Sequence, residues 1–136
     1  MTPASFSPHD VDPFDLPEWL LSPGVLWRSE EGLRSTHLVR GTLQGGAGEE
    51  LGCALLAVDD AYPVPVVDDA VRTRVHQAWH HGQALLVEVD GTLTVAVPGR
   101  RLDAELVMEA LARLARAVGA SPEEYAVLLR IGSARR

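Results

Sequence analysis

The strongest constraint on the fold lies in residues 83–118, where an apolar β-hairpin is followed at once by a well-delimited amphipathic helix. Two apolar runs flank Asp90-Gly91, a dipeptide typical of hairpin turns. Asp103 stands at the N-cap position of the helix, and Gly119 stands where a left-handed residue commonly ends one. A chain of 136 residues with these elements can enclose one hydrophobic core.

The distribution of charge gives an argument for the register of the hairpin. A two-residue turn pairs Val89 with Thr92 and puts Glu88 among apolar residues, whereas a three-residue turn with a left-handed Gly91 pairs Glu88 with Thr92. We predict the second register because it separates apolar from polar side chains. Its apolar face carries Leu85, Val87, Leu93, Val95 and Val97, and its polar face carries Glu88, Thr92 and Thr94.

The helix after the hairpin has a single apolar stripe. Leu102 and Val107 have the spacing of a hydrophobic staple, and Glu109 and Arg113 are an i, i+4 ion pair. The residues predicted to face inward are Val107, Ala110, Leu111, Leu114, Ala117 and Val118, whereas Glu105, Glu109, Arg113 and Arg116 are predicted to face water.

Three strand-like runs, 25–29, 37–43 and 51–58, precede this half and predict an antiparallel meander. The third run is almost continuously apolar, which predicts a central strand covered on both faces. Another helix is predicted, capped by Asp68 or Asp69 and ending at His80 or His81 before Gly82, with Val71, Val75, Ala78 and Trp79 as its buried stripe.

Residues 125–131 predict a last strand, with a short helix as the alternative. We therefore predict an α+β fold with an antiparallel sheet of five to six strands and two main helices packed on it, in the order short α-β-β-β-α-β-β-α-β. Residues 1–10 are expected to be a flexible N-terminal segment, 11–132 a single domain and 133–136 a flexible tail. Proline-rich residues 61–67 are expected to form an extended surface connection.

Charge and composition exclude several classes of function. The net charge is −7, with 12 acids and three arginines in residues 1–70, so nucleic acid is not expected as a partner. The sequence contains no apolar run long enough to span a membrane, and its start does not have the pattern of a secretory signal. We therefore expect a cytoplasmic protein. Cys53 is the only cysteine, which excludes an internal disulfide and a multi-cysteine zinc site.

Few residues suggest catalysis or the binding of a metal or ligand. His76 and His80 are spaced i, i+4, as two metal-binding imidazoles would be, but the sequence indicates no third ligand. The candidate ligand or metal site is a pocket near Asp59, Asp60, Tyr62, His76 and His80. Cys53 lies in the most apolar run, where burial would raise its pKa and make it inert. We therefore expect no cofactor and assign no catalytic residue.

The N-terminal segment offers a different kind of site. Asp15 is expected to cap a short helical turn there. The turn carries four apolar side chains that either dock on the body of the domain or contact a partner: Phe14, Leu16, Trp19 and Leu20. These four are the candidate protein-binding residues.

The run Leu85-Leu-Val-Glu-Val-Asp-Gly-Thr-Leu-Thr-Val-Ala-Val, with Asp103 and the helix 106–114, resembles the corresponding stretch of YbjN-type proteins, which are related in fold to type III secretion chaperones. The resemblance covers about the last 70 residues. It implies an α+β fold with a curved antiparallel sheet and a non-enzymatic role in binding other proteins, often as a dimer. Residues 1–20 depart from the family, which usually begins with a longer helix. We predict a protein-binding adaptor or chaperone-like domain, with a small-molecule- or metal-binding protein or enzyme as the alternative.

Overall fold

All strands of the computed structural model, which describes residues 9–29, 38–58, 69–89, 91–99 and 102–129, join one sheet. Its longer strands have five to eight residues, and the first has two. The strands are β1 (His9–Asp10), β2 (Val25–Ser29), β3 (Leu38–Gln44), β4 (Glu50–Ala57), β5 (Leu85–Val89), β6 (Thr92–Val97) and β7 (Tyr125–Leu129), and the helices are α1 (Asp69–His80) and α2 (Ala104–Val118). The α+β class is confirmed.

The sheet is mixed, so the prediction of a wholly antiparallel sheet is wrong. Its strand order is β1-β5-β6-β4-β3-β2-β7. The β2–β3–β4 meander and the β5–β6 hairpin are antiparallel, but β6 pairs parallel to β4 and β7 pairs parallel to β2. Parallel neighbours need a crossover of a dozen or more residues, and the segments that contain α1 and α2 provide it. Sequence pattern indicates which residues form strands but not which strands become neighbours.

Strand β4 lies at the centre of the sheet and is buried on both faces, as predicted. Cys53 and Leu55 point into the larger core, which α2 covers, whereas Leu56 packs on the other face against Val75 of α1. The two helices therefore cover opposite faces of the sheet.

The hairpin adopts the register that we rejected. Glu88 pairs with Leu93 and Val89 with Thr92, so the turn has two residues. Charge separation was a poor guide because the stretch 93–97 of β6 is buried on both faces, so neither face of the hairpin is a polar one. Glu88 shares a face with Leu93 but stays exposed near the end of β5, beside the short edge strand β1.

Helix termini agree closely with prediction. The Asp103 carboxylate accepts a hydrogen bond from the backbone N–H of Leu106 at 2.8 Å, and Gly119 adopts φ +91° at the other end of α2. Gly82, at φ +83°, follows α1 in the same way. The inward stripe of α2 contains Ala115 in place of the predicted Ala117, which is exposed.

The N-terminal segment is docked on the domain. Asp12, and not Asp15, caps the 3₁₀ turn Pro13–Asp15 by accepting from the backbone N–H of Phe14 at 3.0 Å. A second turn, Glu18–Leu21, places Leu20 in the core. The Tyr125 hydroxyl donates to the backbone carbonyl of Leu20 at 2.8 Å, which ties this turn to β7.

Several expectations fall on residues outside the described ranges. They are the expected flexibility of residues 1–8, the expected extended connection at 61–67 and the expected flexible tail at 133–136. Residues 9–10, which the sequence assigns to the N-terminal segment, form β1 against β5. Within the described residues, no helix combines the length and the apolar character needed to cross a membrane.

Candidate functional site

A groove of about 520 Å³ lies at the β5 edge of the sheet, bordered by Arg74 of α1, the connection between α1 and β5, the C-terminal half of α2 and the N-terminal segment. We call it the β5-edge groove. The pairing of β1 with β5 carries the chain past this edge, and the backbone N–H of Val11 donates to the carbonyl of Leu86 at 3.0 Å. The lining includes the polar residues Asp10, Arg74, Gln83, Arg113 and Arg116 and the apolar residues Val11, Pro13, Ala84 and Leu86.

Arg113 forms one wall of the groove and clamps the two helical layers together. Its Nη1 donates to the backbone carbonyls of Trp79 at 2.7 Å and Gln83 at 3.0 Å, and its Nε donates to Glu109 at 2.8 Å. Its guanidinium carbon lies 3.6 Å from the centre of the Trp79 ring, a cation–π geometry. The side chain is only 14% exposed, so the prediction that Arg113 faces water is wrong.

Arg74 closes the opposite rim by pairing with Asp10. Its Nη2 lies 2.6 Å from both carboxylate oxygens of Asp10, which ties β1 to α1. The two side chains are 45% and 65% exposed, so the pair contributes about 0–1 kcal/mol to stability. Its larger effect is to order the guanidinium at the mouth of the groove.

The charge of the groove is positive although the chain is acidic overall. Arg74 and Arg113 each have a carboxylate partner, whereas Arg116 is exposed and has none among the described residues. Counting described residues only, three guanidinium groups therefore meet two carboxylates at this edge. Guanidinium binds carboxylate and phosphate in a bidentate manner, so the arrangement suits an anionic group.

Of the four candidate protein-binding residues, the structure leaves one fully accessible. Leu20 is completely buried, and Leu16 and Trp19 are partly buried against the core. Phe14 is 94% exposed and directly follows Pro13, which lines the groove. The segment is thus both docked and, at Phe14, open to a partner.

The histidines of α1 border a separate, shallow depression of about 610 Å³. His76 and His80 are exposed there, and His81 borders the same depression, with its Nδ1 2.8 Å from the backbone carbonyl of Gln77. In the part of the chain that the structure describes, no group of three or more His, Cys, Asp or Glu side chains could hold a metal ion. The other predicted members of this site, Asp59, Asp60 and Tyr62, lie outside that part.

Cys53 is a core residue, as predicted. It is completely buried, and desolvation raises the pKa of its thiol to about 12. Its backbone carbonyl accepts a hydrogen bond from the indole N–H of Trp27 at 3.0 Å. The thiol is therefore protonated at ordinary pH and shielded from reagents.

Sequence reasoning missed the arginines of the β5-edge groove. Arg113 and Arg116 have the helical spacing of one surface, which is visible in the sequence, but their approach to Arg74 and Asp10 depends on how α1, β1 and α2 meet. Comparison of the chain with protein-family models, with curated proteins and with solved structures gives no match.

Proposed function

We propose that this chain is a non-enzymatic, cytoplasmic protein-binding domain of adaptor or chaperone-like type that holds an acidic protein segment in the β5-edge groove. The observation that carries the proposal is Phe14, which is 94% exposed and directly follows Pro13, a residue that lines the same groove as three arginines. Burying one phenylalanine side chain contributes roughly 1.5–3 kcal/mol, and aromatic residues and arginine are enriched at protein interfaces. Phe14 would act as the apolar anchor of the complex.

The groove favours a particular partner chemistry. Arg116 has no carboxylate partner in the described part of the chain, and Arg74 is paired with Asp10. Apolar contacts are available between these charges from Val11 and Pro13. A segment that combines carboxylates with apolar side chains would match both features. The proposal also includes a homodimer.

The character of Cys53 supports a role without catalysis. Its buried thiol, with a pKa of about 12, is unsuited to nucleophilic attack. The groove instead presents guanidinium groups, which remain protonated at ordinary pH and so bind anions more readily than they transfer protons.

The test compares partner capture by the full chain and by point variants. Removal of residues 1–21 is unsuitable, because Leu20 is part of the core and its loss would disturb the fold. Phe14→Ala and Arg116→Ala alter exposed side chains, and Met108→Ala is the matched control because Met108 is 60% exposed and does not line the groove. Each variant is first checked for an unchanged unfolding transition.

We expect one specific protein to be captured by the wild type and by Met108→Ala but lost with Phe14→Ala and Arg116→Ala. An acidic segment of that protein should then bind the purified domain in calorimetry, at least tenfold more weakly to either groove variant, which corresponds to about 1.4 kcal/mol. Equal capture by Phe14→Ala and Met108→Ala, or no specific protein at all, would refute the proposal.

The small-molecule or metal alternative makes a different prediction. Zinc or a metabolite that binds near His76 and His80 would stabilise the fold, by about 2.7 kcal/mol at a hundred times its Kd. Thermal-shift measurements with zinc, on the wild type and on His80→Ala, separate the two. A zinc-dependent shift that disappears in the variant would favour the alternative over protein binding.

A further inference from the structure

Strand β1 covers only part of the β5 edge. The backbone N–H of Val11 donates to the Leu86 carbonyl at 3.0 Å, and the chain then leaves the edge at Asp12 and Pro13, where a 3₁₀ turn begins. The part of the edge that precedes Leu86 borders the β5-edge groove, and none of the described strands lies beside it there.

Three backbone groups of this uncovered part face outward. The Leu86 carbonyl points towards β1, and backbone groups alternate sides along a strand, so the groups of Leu86 and Ala84 point outward. Those of Leu85 and Val87 point to β6. In the described part of the chain, the Leu86 N–H and both backbone groups of Ala84 have no hydrogen-bond partner. Leu86 is only 5% exposed, and buried backbone N–H groups are nearly always paired, so these groups suit the backbone of a ligand.

The positions of the three groups fit a segment that runs parallel to β5. In a parallel pair, a residue donates to the carbonyl before its neighbour and accepts from the N–H after it. A ligand residue beside Leu85 would thus donate to the Ala84 carbonyl and accept from the Leu86 N–H. The carbonyl two residues earlier in the ligand would accept from the Ala84 N–H.

Val11 determines where such a segment stops. Its backbone lies opposite Leu86, which is the place that the next ligand residue would take. A continuing chain would have to turn away there, as the protein's own chain does at Asp12. A chain end needs no turn, and its α-carboxylate brings a charged acceptor to the Leu86 N–H.

The charge of the groove favours a carboxylate at this edge. Asp10 of β1 already pairs with Arg74, so an acid on an extended strand is what the neighbouring part of the edge holds. Arg113 is paired with Glu109, and Arg116 has no carboxylate partner among the described residues. One guanidinium of the groove is therefore left for an anionic ligand.

The alternation of side chains along a strand places a second acid. The last ligand residue, beside Leu85, would share its face of the sheet, which α1 covers. The penultimate side chain would point to the other face, which α2 covers and where Arg116 borders the groove. An acidic penultimate residue would therefore meet Arg116.

We propose that the β5-edge groove binds the C-terminal residues of a partner protein, parallel to β5, with the α-carboxylate at the Leu86 N–H and an acidic penultimate side chain at Arg116. This inference rests on the proposed function and specifies which acidic segment the groove holds. The volume of about 520 Å³ suits a short chain end, since pockets for small ligands have about 300–1,000 Å³.

The test uses the full chain and two peptides that differ only at the C-terminus. One is acetyl-Ala-Val-Asp-Val with a free carboxylate, and the other is the same peptide as a C-terminal amide. In calorimetry the free acid should bind at least about tenfold more tightly than the amide. In hydrogen exchange measured by NMR, the free acid should slow exchange of the Leu86 N–H more than that of Val87, which faces β6.

A second pair of peptides tests the contact with Arg116. Replacing the aspartate of the free-acid peptide by asparagine should weaken binding to the wild type about tenfold. The same replacement should have little effect on binding to Arg116→Ala, because the partner of that carboxylate is then absent. Met108→Ala is the matched control and should behave like the wild type, since Met108 is exposed and does not line the groove. Circular dichroism verifies that both variants are folded.

Three results would overturn the inference: no binding of the free-acid peptide, equal binding of the acid and the amide, or binding without slower exchange of the Leu86 N–H. Slower exchange that appears without peptide, as the chain is concentrated, would identify a second copy as the occupant and also overturn it. Equal binding of acid and amide that is lost in Arg116→Ala would leave the proposed function intact. Capture of a whole protein with Phe14→Ala tests that function separately, because Phe14 does not line the groove.

Discussion

Replacing Arg113 by methionine tests whether this residue clamps the two helical layers together. The guanidinium joins α2 to the end of α1 and to the connection before β5, through Trp79 and Gln83. Methionine keeps an apolar stem against the Trp79 ring but cannot donate a hydrogen bond. The variant therefore removes the polar interactions while leaving most of the packing in place.

The expected loss follows from the contacts. Hydrogen bonds from a charged donor contribute about 1.5–3 kcal/mol each, with the exposed Gln83 carbonyl at the low end. The Glu109 pair adds about 0.3–0.5 kcal/mol, and the cation–π contact with Trp79 about 1 kcal/mol. Since these contributions are not additive, we expect Arg113→Met to lower the free energy of unfolding by about 3 kcal/mol. Arg113→Lys, which keeps the charge without the planar fork, should lose about half as much.

Urea denaturation measures both values, with Arg116→Met as the matched control. Arg116 lies on the same helix and is exposed, so its loss should change stability by less than about 0.5 kcal/mol. The slope of the transition should be unchanged if the native fold is retained. If Arg113→Met and Arg116→Met have the same free energy of unfolding, the contacts of Arg113 do not stabilise the fold, and the clamp is refuted.

Three further changes have defined outcomes. Gly41→Ala would put a methyl group 2.6 Å from Nε1 of Trp27 and so displace the indole from its hydrogen bond to the Cys53 carbonyl. We expect this to lower the free energy of unfolding, measured by urea denaturation, by about 2–4 kcal/mol. Gly46→Ala meets open space and serves as its near-neutral control; equal losses would contradict this reason. Cys53 titrates near its ordinary 9.0 when unfolded but at about 12 when folded, so the unfolding free energy should fall as pH rises from 9 towards 12. Cys53→Ala should reduce that fall, and an unchanged pH slope would exclude the thiol as its cause. Asp103→Ala should cost about 1 kcal/mol by thermal or urea unfolding, with Asp103→Asn largely neutral; an equal loss in both would argue against the N-cap.

Elements with strong local signals were predictable. Asp103 and Gly119 bound α2 because a cap depends on the few residues around a helix end and on the left-handed backbone that glycine tolerates. The strand Val25–Ser29 and the buried centre of the sheet at β4 also follow from short-range pattern. The turn in the N-terminal segment was predicted as well, but its cap is Asp12 and not Asp15. Asp12 and Asp15 lie only three residues apart, so local sequence pattern does not show which of the two accepts the capping hydrogen bond.

The candidate site was predictable only in part. Sequence pattern predicted Phe14 only together with Leu16, Trp19 and Leu20. The burial that removes Leu20 from the surface depends on its contact with the core beneath α2 and on the hydrogen bond from Tyr125. The arginines of the β5-edge groove had no sequence signal as a group, since they come from two helices that meet only in the folded domain. The helical periodicity of α2 predicts that Arg113 faces solvent. It does not show that Trp79 of α1 packs against this side chain.

Local sequence pattern predicts most of the segments, the two ends of α2 and the α+β class, because these follow from backbone geometry and hydrophobic spacing over a few residues. Tertiary structure decided the hairpin register, the parallel pairs and the groove. Leu85 and Leu86 can each face a core because helices cover both sides of the sheet, so alternation no longer distinguishes the two registers. Which strands become neighbours depends on long-range packing, and a local sequence pattern carries no information about it.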